Sequence, residues 1–89
     1  MPKMIRIGYT SKFGKSLNNL PRDIQSLVVK KDELFRLNPF DARLRTHRLK
    51  GKLADYWAYS VNYHYRILFK FKNEFEVVYF DVGTHEVYR

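Results

Sequence analysis

The chain opens on a hydrophobic period of two. Residues 4–9 alternate apolar with polar or small side chains, the pattern of a half-buried first strand. The period then lengthens to that of a helix. Phe13, Leu17 and Leu20 fall at i, i+4 and i+7, and Thr10 and Ser11 stand just ahead of them, where a hydroxyl can accept from the free N–H groups of a first turn. Gly14 weakens this helix and Asn18-Asn19 lie near its end, so it is short and depends on packing. Pro21 suits the first turn of a second helix, with Asp23 at the positive end of its dipole. Ile24, Leu27, Val28, Lys31, Leu34 and Phe35 lie on or near one face, while Lys30, Asp32, Glu33 and Arg36 are left to water. Asn38-Pro39 stops it. So little chain joins the helices that an antiparallel hairpin is expected.

The apolar spacing of residues 39–54 is mixed (Phe40, Leu44, Leu49, Leu53) and fits a helical turn or a short strand. Gly51 marks a turn or a close approach of backbone. Period two returns in residues 56–62 and 65–72, a hairpin about Asn62-Tyr63-His64, and a second turn at Lys72-Asn73-Glu74 leads into a strand over 75–82. In the middle strand Tyr65, Ile67, Phe69 and Phe71 share a face that is expected against the helices, which leaves Arg66, Leu68, Lys70 and Lys72 on the open face. For the strand before it, the smaller set Tyr56, Ala58 and Ser60 is expected to face the helix pair, with Trp57, Tyr59 and Val61 outside beside Arg66. The order β-α-α-β-β-β predicts an α+β fold, a helix hairpin packed on one face of a small, mostly antiparallel sheet. Residues 1–89 leave little room for a second core, and a single domain is expected.

Composition sharpens this picture. The aromatic share of 17% suits a sheet of few strands carrying large side chains. A net charge of +8 implies an anionic partner: nucleic acid, an acidic protein or an anionic membrane surface. The charge is also clustered. Arg43, Arg45, Arg48, Lys50 and Lys52 surround His47, and no acidic residue interrupts residues 42–54. Such a run offers phosphate contacts, which bind without sequence choice and weaken steeply with salt. The chain contains no cysteine, so it forms no disulfide and no thiolate metal site. The opening residues are too few and too charged for a signal peptide, and no apolar run approaches the ~18 residues of a membrane span, so a cytoplasmic location is expected.

Four motifs in order, the Asn-Pro-Phe that ends the helices, His-Arg-Leu-Lys-Gly-Lys-Leu (47–53), Asn-Tyr-His-Tyr-Arg-Ile-Leu-Phe (62–69) and the closing Asp-Val-Gly-Thr-His-Glu-Val-Tyr-Arg (81–89), resemble the RelE/ParE toxin superfamily of type II toxin–antitoxin pairs. The resemblance spans the chain from first strand to last residue. The histidine-bearing tail is more similar to the RelE/YafQ/YoeB-type RNases than to the gyrase-directed ParE branch. It implies a ribosome-dependent mRNA endoribonuclease without a cofactor, held inactive by a bound antitoxin, with the toxin alone monomeric. The family's strand arginine falls on Arg66, its catalytic position after Val-Gly on His85, its C-terminal tyrosine on Tyr88, and a connector histidine of YafQ-type members on His47. Trp57 and Tyr59 stand where RelE has two lysines, and His64-Tyr65 stand near the Asp-Trp pair of YafQ-type members, so the acid and base are not assigned by resemblance.

The residues supply that chemistry on their own terms. RNA cleavage without a metal needs a base for the 2′-OH, an acid for the leaving 5′-oxygen and a cation on the phosphate. Imidazole suits both proton transfers, with an ordinary pKa of about 6.5, and arginine presents a fork of donors to phosphate. His47, His64, His85, Arg66 and Tyr88 make a sufficient set. Each has a plainer alternative: His85 as a surface residue, His47 as a phosphate contact, His64 as a turn residue, Arg66 paired with Asp81 or Glu76, and Tyr88 packed under the sheet edge. Trp57 and Tyr59 either stack on bases, worth roughly 1–3 kcal/mol each, or pack on neighbours. A gyrase-binding toxin without chemistry and a non-catalytic RNA-binding domain remain the competing functions.

Overall fold

Thr10 starts the first helix as its sequence position requires. Its Oγ1 accepts from the Phe13 N–H at 3.0 Å and donates to the Phe80 carbonyl at 2.8 Å, so the cap also ties the helix to the last strand. The computed structural model describes residues 4–88, apart from the side chains of Glu86 and Tyr88. Within that span β1 (Arg6–Tyr9) is followed by α1 (Ser11–Asn18) and α2 (Arg22–Leu37), then by β2 (His47–Arg48), β3 (Trp57–Ser60), β4 (Arg66–Asn73) and β5 (Glu76–Gly83). Short 3-10 turns occupy Ala42–Leu44, Gly51–Leu53 and His85–Tyr88. Gln25 closes the link between the helices: its Nε2 donates to the Leu17 and Leu20 carbonyls, both at 3.0 Å, and so ties α2 to the end of α1.

The sheet runs β1-β5-β4-β3-β2, with β1 parallel to β5 and every other pair antiparallel. The two helices pack on this five-stranded mixed sheet, an α+β fold in the expected order. The connector contributes both of the things its spacing allowed, 3-10 turns and the two-residue strand β2 that adds a fifth strand. Gly51 sits at φ +66 with open space where a Cβ would lie, so it serves a turn and not a close approach. Among the described residues no helix is long and apolar enough to cross a membrane.

The middle strand faces as expected: Ile67 and Phe69 are fully buried, with Tyr65 and Phe71 packed at the margin of the same core. The expectation for β3 is overturned. Tyr59 is fully buried and Trp57 packs against the core, while Tyr56 lies on the open side, its ring edge-on to Phe80 at 5.2 Å and beneath Lys70 Nζ at 4.6 Å. Register is the cause. Tyr59 lies opposite Ile67 and Trp57 opposite Phe69, and cross-strand partners share a face. The large ring fits because Phe35 of α2 lies nearly flat on it, centroids 4.7 Å apart and planes 18° from parallel.

The buried phenol also needs a partner, and finds one. Tyr79 donates to Asp32 Oδ1 at 2.8 Å, so its oxygen accepts from the Tyr59 hydroxyl, also at 2.8 Å, while Arg36 Nε donates to Asp32 Oδ2 at 2.9 Å. Burial pushes the pKa of both phenols up, which keeps them as donors. Tyr79→Phe strands both the Tyr59 hydroxyl and one Asp32 oxygen, and is expected to destabilise by about 1–3 kcal/mol. Tyr59→Phe removes only the end of the relay and is expected to destabilise less. Urea unfolding of the two variants checks this; equal losses would break the relay account.

Candidate active site

The helix α2, the basic connector and the β3–β4 turn enclose a cleft of about 450 Å³. Lys31 comes from α2, Arg43, Arg45 and His47 from the connector, Ser60 through Tyr63 from the end of β3 and its turn, and Arg66 from the start of β4. No carboxylate lines the cleft among the described residues. Lys31, Arg45 and Arg66, with Arg43 paired to Asp41 behind it, therefore turn positive charge towards one volume, which suits a polyanion.

Arg66 occupies the first position of β4, opposite Ser60 on one side and Gly83 on the other. The ion pairs considered for it do not form. Asp81 accepts from Ser16 Oγ at 2.5 Å and lies 3.5 Å from Lys12 Nζ, whereas Glu76 pairs with Arg6 at 3.4 Å and accepts from Asn73 at 2.9 Å. Among the described residues Arg66 Nη1 is buried and has no hydrogen-bond partner. A buried guanidinium donor left open in this way fits an anion that arrives with acceptors of its own.

His47 pairs with Ala58 through β2, and its Nδ1 lies 3.0 Å from the Arg45 carbonyl. A carbonyl only accepts, so the neutral imidazole carries its proton on Nδ1 and keeps its lone pair on Nε2. Arg45 adopts φ 53, the left-handed region, as the residue that closes the Ala42–Leu44 turn. Arg43 is fixed by Asp41, which receives Nε at 3.0 Å, Nη2 at 2.9 Å and the backbone N–H at 2.9 Å. The Arg43 hydrogen bonds hold the Asp41 carboxyl down at about 2, so the pair stays charged wherever imidazole titrates.

The remaining candidates lie elsewhere. His85 is exposed in the last 3-10 turn, two residues beyond Gly83 and so at the Arg66 end of the sheet, but it does not line the cleft. A Cβ at Gly83 would stand 2.9 Å from Val87 Cγ1, so glycine lets this turn fold back. The Tyr88 side chain is outside the described residues. Arg48 donates through Nε to the Ala54 carbonyl at 2.6 Å, and Lys50 and Lys52 are exposed beyond the cleft, extending the positive surface. His64 is exposed at the hairpin turn. Trp57 packs edge-on to Phe40 and Phe71, and Tyr59, being fully buried, is withdrawn as a base-stacking residue. Lys31, Ser60, Asn62 and Tyr63 were not singled out from the sequence. The signals were present: a lysine on an apolar helix stripe, and a large aromatic at a hairpin tip.

The architecture is thus α+β, a mixed sheet with two helices packed on it and a basic cleft at one end. Solved structures share the fold. The YoeB/ParE toxin from Agrobacterium tumefaciens superposes with a TM-score of 0.75 at 13% identity over 91% of this chain and 99% of that one. A chain of the toxin–antitoxin complex RelBE2 from Mycobacterium tuberculosis gives 0.70 at 22% identity over 96% and 94%. YafQ from E. coli strain BL21(DE3) gives 0.68 at 15% identity over 94% and 97%. No protein-family model and no curated protein matches the sequence. The chain thus has the fold of the RelE/ParE-type toxins, and the resemblance carried by its motifs is borne out at that level.

Proposed function

We propose that the chain is the toxin of a type II toxin–antitoxin pair and acts as an endoribonuclease on mRNA at the ribosome. The observation that carries this reading is the cleft in which, among the described residues, no carboxylate lines the wall and Arg66 Nη1 is buried without a partner beside His47, Arg45 and Lys31. The shared fold with proteins described as toxins supports the class, and the RelBE2 complex supports a protein antitoxin as partner. The ribosome as the place of action, and a monomeric toxin that forms a hetero-oligomer with its antitoxin, follow from the motif resemblance, and a cytoplasmic setting is part of this reading.

In this mechanism Arg66 places its fork on the scissile phosphate, with Arg45 and Lys31 on neighbouring phosphates. One imidazole removes the 2′-OH proton, the 2′-oxygen attacks the adjacent phosphorus, and the P–O5′ bond breaks as the second imidazole protonates the leaving oxygen. The products are a 2′,3′-cyclic phosphate and a 5′-hydroxyl. His47, with Nε2 unprotonated in its neutral form, is one of these groups, and His85 from the tail is the other. Tyr88 stays in the scheme through its motif alone.

Primer extension on a reporter mRNA in a cell-free translation reaction tests this, comparing wild type with His47→Gln and His85→Gln, with and without ribosomes. Wild type is expected to make new 5′ ends only during translation, and each variant to slow cleavage by about 10²–10⁴-fold, the usual worth of one general acid or base. Ends made equally by both variants would remove the histidines from the chemistry. No cleavage by folded wild type would refute the nuclease and favour a toxin of the gyrase-directed kind.

A further inference from the structure

Tyr63 stands at the tip of the β3–β4 turn and is 87% exposed, at a position where Gly, Asn and Asp are the usual residues. The turn beneath it is tightly tied. Val61 and Asn62 N–H donate to the Tyr65 carbonyl at 2.9 and 3.3 Å, and Asn62 Oδ1 accepts from the His64 and Tyr65 N–H groups at 2.9 and 2.8 Å. His64 meets the Tyr63 ring edge-on with centroids 5.1 Å apart. Two other exposed rings are already packed: Tyr9 stacks on Phe13 at 5.4 Å and Phe40 on Phe71 at 5.9 Å. Tyr63 is held by a rigid turn, is not stacked in this way, and lines the cleft that holds Arg66, Arg45 and Lys31.

We infer that Tyr63 is a base-stacking platform, so that the cleft takes single-stranded RNA with a phosphate on its cations and an unpaired base on this ring. The inference rests on the proposed function and narrows its substrate. A duplex keeps its bases stacked on one another and has no internal base to lay on the ring, whereas a single strand can splay one out. Selection by stacking tolerates any base, because each has a π-face. The ring and not the hydroxyl is the working group.

The test is fluorescence anisotropy with a short end-labelled single-stranded RNA and with its duplex, using wild type, Tyr63→Ala and Tyr63→Phe. A parallel strand carrying 2-aminopurine reports stacking by quenching. Tyr63→Ala is expected to weaken single-strand binding roughly 5- to 150-fold and to abolish the quench while binding duplex like wild type. Tyr63→Phe is expected to behave as wild type throughout. Single-strand affinity and quench unchanged in Tyr63→Ala, equal losses on strand and duplex, or a wild type that binds neither RNA would each overturn the inference. A wild type that stacks a base on Tyr63 yet leaves translated mRNA uncut refutes the nuclease and keeps the platform. One that cuts mRNA, with Tyr63→Ala binding unchanged, does the reverse.

Discussion

Arg66→Ala is expected to lower RNA cleavage by about 10²–10³-fold, the range seen when one preorganised donor to a developing oxyanion is removed, without lowering thermal stability. Removing a residue held in a structural ion pair would instead lower stability. Here the partners that sequence position offered are taken: Asp81 by Ser16 and Lys12, Glu76 by Arg6 and Asn73. Among the described residues Arg66 Nη1 is buried without an acceptor, and a buried unsatisfied donor is worth about 1–3 kcal/mol of destabilisation. Removing it relieves that strain on the folded state, set against the loss of packing by the side-chain stem. Arg66→Lys keeps the charge but not the planar fork, so binding should survive better than the rate. Single-turnover cleavage and a thermal melt on the same samples decide the matter. A melting temperature that falls with activity would make Arg66 a structural residue.

Most of this fold is legible in the sequence because the signals are local. Thr10 caps α1, Pro21 and Asn38-Pro39 bracket α2, and alternation in residues 65–72 gives the inward face of β4 directly. The facing of β3 was not legible, since it is set by register against β4 and by a stacking partner two elements away. Tyr59 reads as a surface aromatic until Phe35 is placed flat against it and Tyr79 is found to accept its hydroxyl. The site divides in the same way. Arg43, Arg45, His47 and Arg66 were visible as a basic run and a strand position, and the fold brings all four into one cleft. Lys31 joins them only because α2 crosses that end of the sheet. Its charge on an apolar stripe was a signal that periodicity alone read as core.

Phe35→Ala is expected to be the most damaging single change to stability. The side chain is fully buried, lies flat on Tyr59 at 4.7 Å, and meets Phe69 and Tyr79 edge-on at 5.0 and 5.8 Å. It therefore joins α2 to β3, β4 and β5 at once, and no neighbouring chain can collapse into the space without moving a strand. Truncation of a core phenylalanine destabilises by about 3–5 kcal/mol, against a total of about 5–15 kcal/mol for an ordinary domain, so the variant should lose a large share of its stability. Phe35→Leu keeps much of the volume and should lose far less. The effect should reach the cleft as well, because Lys31 lies one turn upstream on the same helix and takes its position from how α2 sits on the sheet. Urea unfolding gives the stability, and cleavage measured at a temperature where Phe35→Ala is still folded gives the coupling. Full activity in that folded fraction would show that the cleft does not depend on the seating of α2, whereas a shared loss ties the packing of one buried ring to the placement of charge on the substrate.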